Sequence, residues 1–235
     1  SKSLAAGLKN IKSFSLNDPK ADFYARDIKP EGVGVSFVVN DVAVRLQVPG
    51  RHNVANALAA LVAAVTGAGV DLKTAVAALA ECRGISRRFE IVGQKGGITV
   101  IDDFAHNPDK IAATLATLHE TPGRVIAIFQ PHGFGPTKLM RADLVSAIAK
   151  GMAEQDIFLM PEIYYAGGTA QRDISSADIV NDIAAQHRMV RYFESRMEIP
   201  AFVAEVAQQG DRIIVMGARD DTLPAFASSI LHSLS

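Results

Sequence analysis

The sequence predicts an α/β protein whose larger part is an open, mostly parallel sheet with helices on both faces. From about Gly93 onward, short apolar runs rich in Val, Ile and Phe alternate with helical segments. Strands that alternate with helices at this spacing are typical of parallel sheets covered on both sides. The preceding residues, about 12 to 48, alternate as antiparallel strands do, and two alanine-rich helices follow them.

In the first part, Val33–Val39 and Val42–Val48 are predicted to pair through a turn at Asn40-Asp41. Two earlier strands are predicted near Ser13–Leu16 and Ala21–Ile28. The predicted helices that follow are His52–Val65 and Leu72–Glu81, the second with Asp71 as its N-cap.

The second part contains five predicted strand–helix pairs, and helix caps are recognisable at Asn107 and at the Ser175-x-x-Asp178 pattern. The predicted strands are Ile98–Ile101, Val125–Phe129, Ile157–Met160, Val190–Phe193 and Arg212–Met216. The predicted helices are Pro108–His119, Lys138–Ala153, Ser176–Gln186, Ile199–Gln208 and Leu223–Leu234. A boundary is expected near Glu81–Arg88, where Gly84 supplies flexibility, which gives domains 1–84 and 85–235.

Composition excludes several classes of function. The formal net charge is −1 without a long basic run, which argues against general nucleic-acid or anionic-membrane binding. Cys82 is the single cysteine, so the chain has neither an internal disulfide nor a Cys/His metal site. The apolar runs are too short to span a bilayer, and a reducing, cytoplasmic location is expected.

Polar or glycine-bearing segments follow four of the predicted strands. In an open parallel sheet, ligands bind outside the carboxyl ends of the strands, so these segments predict a binding edge, with plain loops as the alternative. The segments are 102–108, 130–135, 161–169 and 217–221.

Two of these positions allow more than one interpretation. Asp102 and Asp103 could bind a metal, position a ribose or a basic group, or cap a helix. Arg87 and Arg88 could bind a phosphate, or could form a surface ion pair with Glu90 or Glu81.

The segment Pro49–Ala57 joins a strand to a helix. Asn53 and Asn56 lie three residues apart and therefore share one helix face. An amide offers both a donor and an acceptor, as an adenine edge requires. The alternative is that Asn53 caps the helix.

The ordered set of motifs resembles the Mur ligases, the ATP-dependent amide-bond ligases of peptidoglycan synthesis and recycling, and looks most like their alanine-adding and tripeptide-recycling branches. The motifs are Gly50-x-His52-Asn53-x-x-Asn56-Ala57, Arg87-Arg88-Phe89-Glu90, Asp102-Asp103-Phe104-Ala105-His106-Asn107-Pro108 and Phe129-Gln130-Pro131-His132. The resemblance implies that residues 1–84 are the C-terminal portion of a central ATP-binding domain. It implies that residues 85–235 are a complete, Rossmann-like C-terminal domain.

The resemblance also implies roles for ATP-binding residues. Asn53 and Asn56 would face the adenine, with His52 beside them. Arg88 would reach the phosphates across a domain cleft that closes during catalysis, and Asp103 would hold the ribose or phosphate end. His106 would lie near the nucleotide, and Arg88 and Asp103 would be the catalytic pair.

For the amine substrate, the resemblance implies His132, Tyr165 in the Tyr164–Gly168 loop, and Arg219. Two departures from the alanine-adding branch leave that substrate open. Gly133-Phe134-Gly135-Pro136 stands where an arginine and an aromatic residue normally follow Gln-Pro-His, and Phe104 replaces a tyrosine. A lost hydrogen-bonding group changes which substrate is tolerated.

The implied reaction converts a carboxylate to an acyl phosphate with ATP, and an amine then attacks to form an amide. ATP and Mg²⁺ are the implied cofactors, and UDP-sugar or peptide carboxylates and amino acid or peptide amines are the implied substrates. The phosphate-binding loop and the metal ligands lie upstream in the family, and no G-x-x-x-x-G-K-[ST] occurs here. This chain is therefore expected to be inactive alone. One alternative is a stand-alone, non-catalytic nucleotide- or ligand-binding module. Another is an NAD(P)-dependent oxidoreductase, which the absence of the glycine-rich dinucleotide-binding motif disfavours.

Overall fold

The computed structural model describes residues 11–31, 34–82, 84–169 and 171–234. The chain forms two compact units, residues 1–84 and 85–235. Each unit has its own sheet and its own hydrophobic core.

The first unit is a four-stranded sheet with two helices. Its strands lie in the order β1-β2-β3-β4; β1 is parallel to β2, and the other pairs are antiparallel. The elements are β1 Phe14–Ser15, β2 Phe23–Glu31, β3 Gly34–Val39, β4 Val42–Leu46, α1 Arg51–Val62, a π-helical segment Ala63–Gly67, and α2 Leu72–Ala80.

The local sequence accounts for the turns of this unit. Asn40 and Asp41 have φ values of 46° and 61°, the left-handed conformation that a tight hairpin turn requires. Asp71 caps α2, since its carboxylate accepts from the backbone N–H of Thr74 at 3.1 Å. Both predictions are confirmed, while Val33, the predicted start of the third strand, lies outside the described residues.

The second unit is a six-stranded sheet in the order β5-β6-β10-β7-β8-β9, in which only β5 runs antiparallel. Its strands are β5 Glu90–Lys95, β6 Ile98–Asp103, β7 Val125–Gln130, β8 Ile157–Pro161, β9 Met189–Phe193 and β10 Arg212–Gly217. Its helices are α3 Pro108–Leu118, α4 Phe134–Gly151, α5 Ser176–Ala184, a 3₁₀ turn Arg196–Glu198, α6 Ile199–Val206 and α7 Leu223–Ser233.

Helices cover both faces of this sheet, as predicted. Along β10, Ile214 and Met216 pack with α3, α4 and α5, whereas Ile213 and Val215 pack with α6 and α7. This alternation explains why the central strands are apolar throughout, because both of their faces are buried.

The second unit differs from the sequence prediction in one strand and in the start of one helix. Strand β5 was not predicted, because Gly93 interrupts it and its side chains show no alternation of apolar and polar residues. Helix α4 begins at Phe134, one turn before the predicted Lys138. Pro136 falls in the first turn, where its missing N–H costs no helical hydrogen bond.

Candidate functional site

The carboxyl ends of four neighbouring parallel strands, β6, β10, β7 and β8, lie at one edge of the second sheet. We refer to the segments that follow them, residues 102–107, 130–135, 161–169 and 217–221, as the carboxyl edge. In such sheets this edge is where ligands bind.

Arg87 ties two of these strand ends together. Its Nε lies 3.3 Å from Asp102 Oδ2, and its Nη2 donates to the carbonyl oxygen of Gly217 at 2.9 Å. The guanidinium also lies 5.1 Å from the centre of the Phe104 ring. The predicted alternative of a surface ion pair with Glu90 is therefore wrong for Arg87, because the Glu90 carboxylate accepts the backbone N–H of Arg87 instead.

Arg88 has a different environment from its neighbour. Its side chain is exposed, and its guanidinium lies 5.3 Å from the Phe104 ring centre on the carboxyl edge. No carboxylate among the described residues pairs with it. The charge of Arg88 is therefore not neutralised by any described carboxylate.

Asp103 is buried and heavily hydrogen-bonded. Its Oδ1 accepts from the N–H groups of Phe89 and Phe104 at 3.2 and 2.9 Å, and its Oδ2 accepts from Thr114 Oγ1 at 2.6 Å. A carboxylate has about four acceptor sites, so roughly one remains for a ligand. Asp103 therefore fixes the Phe89 and Phe104 backbone, whatever else it binds.

Asp102 and Asp103 do not share a site. Successive residues of a strand point to opposite faces of the sheet, and these two carboxylates bind Arg87 and Thr114, respectively. The parts of the chain that the structure describes contain no group of three or more His, Cys, Asp or Glu residues that could hold a metal ion. The paired-carboxylate metal site is not supported.

Burial raises the pKa of Asp102 to about 6, although Arg87 opposes the shift. Its Oδ1 is buried and has no hydrogen-bond partner among the described residues. Since the folded-state pKa lies above the ordinary value, ionisation of this carboxyl opposes folding. The loss of folding stability caused by this ionisation is absent below about pH 4 and complete above about pH 6.

We therefore expect Asp102→Asn to become more stable relative to the native chain as the pH rises from 4 to 7, by about 2–3 kcal/mol. The asparagine oxygen can still accept from Arg87. The measurement is the free energy of urea unfolding at each pH, with exposed Asp221→Asn as the control. Parallel pH profiles for Asp102→Asn and the native chain would contradict the raised pKa.

Two histidines meet at the centre of the carboxyl edge. The rings of His106 and His132 are 5.7 Å apart, and the His106 ring contacts Phe104 edge-on at 5.4 Å. His106 Nδ1 lies 2.8 Å from the Phe104 carbonyl oxygen. A carbonyl only accepts, so Nδ1 carries the proton and Nε2 of neutral His106 is left as an acceptor.

Burial, His106 and Arg219 lower the pKa of His132, in that order of importance. Arg219 follows β10, which lies between β6 and β7 in the sheet, and its φ of 66° is uncommon for a residue other than glycine. A neutral His132 ring can accept a hydrogen bond at one of its nitrogens. Predicted residues from three separate loops are brought together here.

A polar network centred on the buried Asp220 and Gln130, which the sequence did not predict, supports this group. Asp220 Oδ2 accepts from Gln130 Nε2 at 2.7 Å and from Arg196 Nη1 at 2.5 Å, and its Oδ1 accepts from Thr222 Oγ1 at 2.5 Å. The network links the ends of β7 and β10, next to His132 and Arg219. The sequence feature that could have indicated this network is the polar Gln130 at the end of an otherwise apolar strand.

The segment after β8 is attached to the segment after β7. The backbone N–H of Tyr164 donates to the Pro131 carbonyl at 2.8 Å, and that of Gly133 donates to the Tyr164 carbonyl at 2.9 Å. The half-buried Tyr165 packs its ring 5.4 Å from that of Phe134. Tyr165 and His132 therefore lie in neighbouring, hydrogen-bonded segments of the backbone.

The remaining predicted residues lie in the first unit. Gly50 is the N-cap of α1, with φ 95°, and no side chain caps this helix, so the alternative that Asn53 acts as its cap is wrong. Asn53 instead donates from Nδ2 to the Pro49 carbonyl at 2.7 Å, which fixes the orientation of its amide. His52 and Asn56 are exposed in the first two turns.

None of the helices in the described part of the chain has the length and hydropathy that a membrane span requires.

Comparisons with known proteins give a consistent result. Residues 87–219 match the family described as Mur ligase, glutamate ligase domain, and residues 2–64 match the Mur ligase middle domain. A UDP-N-acetylmuramate–L-alanine ligase of Acidithiobacillus ferrooxidans is 36% identical over 84% of this chain and 44% of its own length. One of a Synechococcus species is 35% identical over 97% of this chain and 49% of its own length.

Solved structures agree. The UDP-N-acetylmuramate–alanine ligase of Thermotoga maritima superimposes with a TM-score of 0.72 at 25% identity, over 94% of this chain and 47% of that one. The MurF ligase of Thermotoga maritima in complex with ADP has the same fold, with a TM-score of 0.62 at 14% identity, over 94% of this chain and 48% of that one. The chain spans about half the length of the curated relatives it matches. It belongs to the Mur ligase family.

Proposed function

We propose that this chain supplies nucleotide- and amine-binding residues to an ATP-dependent amide-bond ligase of peptidoglycan synthesis or recycling. The observation that carries the proposal is the meeting of Arg88, Phe104, His106, His132 and Arg219 at one edge of the sheet. Cationic and hydrogen-bonding groups that converge there suit a reaction in which negative charge is transferred on a phosphoryl group.

For ATP, we assign Arg88 to the phosphates, because its exposed guanidinium has no carboxylate partner among the described residues. Asp103 and His106 are assigned to the ribose or phosphate end of the nucleotide, through the remaining acceptor site of Asp103 and Nε2 of His106. In the first unit, Asn53 and Asn56 are assigned to the adenine, with His52 beside them.

For the amine substrate, we assign His132, Tyr165 and Arg219. The lowered pKa of His132 keeps its ring neutral near pH 7, so it can accept a hydrogen bond from an amine. Arg219 provides charge for an anionic group of the same substrate. L-Alanine is the amine in the printed names of the relatives, and the departures at Phe104 and Gly133-Phe134 leave the amine of this protein open.

In the proposed reaction, a substrate carboxylate oxygen attacks the γ-phosphorus of ATP and ADP leaves. The amine then attacks the acyl carbon of the acyl phosphate, inorganic phosphate leaves, and the amine loses a proton. Arg88 would neutralise the transferring phosphoryl group, and the residues of the carboxyl edge would orient the amine. Positioning and charge neutralisation provide most of the rate enhancement in such reactions.

The described residues do not form a magnesium site, because Asp102 and Asp103 bind separate partners and no cluster of three ligands occurs among them. We propose that Mg²⁺ and the triphosphate are held by residues outside this chain, in a cytoplasmic protein about twice as long. The absence of a G-x-x-x-x-G-K-[ST] motif from these 235 residues supports this division.

We therefore expect the 235-residue chain alone to release no ADP from ATP and Mg²⁺. The product of the complete reading frame, here called the whole protein, should release ADP only when both a carboxylate and an amine substrate are present. A coupled ADP assay with a panel of amino acids measures both. ADP release by the chain alone would contradict the division. A reading frame without an upstream phosphate loop, and no ADP release from its product, would favour a non-catalytic binding module.

A further inference from the structure

The loop between β8 and α5 is firmly anchored at the carboxyl edge. Glu162 accepts from the N–H of Ser176 at 3.1 Å and from the hydroxyl of Tyr192 at 2.9 Å. Ile163 and Ile174, near the two ends of the loop, are buried against Phe134. The two ends of this loop are therefore fixed to the sheet and to α4.

Arg172 lies on a surface made by two aromatic rings. Its guanidinium carbon is 4.6 Å from the centre of the Tyr165 ring and 5.7 Å from that of Phe134. Stacking on aromatic faces restricts a guanidinium while its N–H donors remain directed outward in its plane. The side chain is exposed, so those donors are accessible.

Arg172 lacks a counter-charge among the described residues, whereas several other arginines of this unit have one. Arg87, Arg141 and Arg196 pair with Asp102, Asp182 and Asp220. The acidic neighbour of Arg172 in sequence, Asp173, pairs with Lys138 at 2.5 Å instead. No carboxylate among the described residues pairs with Arg172.

The position of Arg172 relates this free charge to the amine substrate. Phe134 and Tyr165 follow directly on Gly133 and Tyr164, whose backbone groups bind each other beside His132. The stack therefore adjoins the proposed amine site. It also brings a guanidinium next to Phe134, in the segment where the sequence itself carries no arginine after Gln130-Pro131-His132.

We propose that Arg172 is a specificity-determining residue that binds the carboxylate of the amine substrate. The inference rests on the proposed function, since it adds a residue to the same site. The planar guanidinium makes a bidentate pair with the carboxylate, and the aromatic stack holds it in the orientation for that pair.

A purely structural role for the stack is the competing explanation, and the chain offers a matched control. Arg191 is also exposed and stacks on two rings, those of Phe193 and Phe202, at 4.9 and 4.6 Å. Neither ring belongs to the loop after β8. Arg191→Gln thus removes a stacked arginine of the same kind without altering the proposed site.

The experiment measures amine-dependent ADP release by the whole protein. The amines tested are L-alanine, other amino acids and short peptides. The amine that gives the highest rate of ADP release is then compared with the same compound in which the carboxylate is replaced by a carboxamide. For the native protein we expect the carboxylate form to have a KM about 10- to 100-fold below that of the carboxamide, as expected for loss of a charged hydrogen bond.

In Arg172→Gln, the KM for the carboxylate form should rise about 10- to 100-fold, with little change in kcat and little change for the carboxamide. Arg172→Lys should recover part of the preference, and Arg191→Gln should keep all of it. An equal loss for both forms of the amine, or no loss for either, would overturn the inference while leaving the proposed function intact. No amine-dependent ADP release by the native protein would remove the proposed function, and the inference with it.

Discussion

Replacing Arg88 by glutamine is expected to lower kcat of the whole protein about 10³-fold, as loss of an arginine that contacts a transferring phosphoryl group does in other enzymes. The guanidinium is exposed, lies over Phe104 and has no carboxylate partner among the described residues. Its charge is therefore available in the transition state. The measurement is kcat for amine-dependent ADP release under saturating substrates.

The same substitution should leave the fold intact, since Arg88 makes no ion pair with a described residue that would be broken. The thermal unfolding midpoint of Arg88→Gln should match that of the native chain within a few degrees. Arg88→Lys retains the charge but not the planar fork, so it should recover only part of the activity. A kcat within about threefold of the native value in Arg88→Gln would exclude the assigned role.

Replacing Asp220 by alanine is expected to destabilise the second unit by about 3–5 kcal/mol, as breaking a buried ion pair does. Asp220 is 2% exposed and accepts from Gln130, Arg196 and Thr222. Without the carboxylate, the partly buried Arg196 keeps its charge but loses its counter-ion. Urea unfolding of Asp220→Ala gives the loss, and Asp221→Ala, an exposed neighbour, should change stability little.

The contribution of the Asp220 carboxylate to folding stability should depend on pH. Burial alone would raise the pKa of Asp220, but hydrogen bonds from Thr222 and Gln130 and the charge of Arg196 outweigh it and lower the pKa to about 2. A depressed folded-state pKa stabilises the fold above the ordinary carboxyl pKa and ceases to do so as the pH falls through about 2. The difference between native and Asp220→Ala chains should therefore shrink from pH 4 to pH 2. A constant difference over that interval would contradict the ion pair.

The parts of the fold that the sequence predicts are those with local signals. The central strands are continuous apolar runs, and the helices that follow carry side-chain caps at Asn107 and Ser175. Strand β5 and the first turn of α4 lack such signals, because glycines and a proline occupy them. Tertiary pairing with β6 stabilises β5 in spite of its sequence.

The residues of the candidate site likewise fall into those that the sequence predicts and those that depend on tertiary contacts. His106, His132 and Arg219 follow predicted strands, so topology alone brings them to one edge. Arg196 and Arg172 come from a 3₁₀ turn and a long loop, and they contact Asp220 and Phe134, which are distant in sequence. Neither periodicity nor spacing encodes such contacts. The left-handed backbone of Arg87, Phe89 and Arg219 is likewise imposed by tertiary structure.

The most direct test of the ligase reaction follows the oxygen atoms of the carboxylate substrate. The whole protein is incubated with ATP, the amine and a carboxylate substrate labelled with ¹⁸O at both oxygens, and the phosphate released is analysed by mass spectrometry. An acyl phosphate intermediate transfers one labelled oxygen to each phosphate formed, in equal number with the amide bonds. Amide formation with unlabelled phosphate, or with release of AMP and pyrophosphate, would contradict the account.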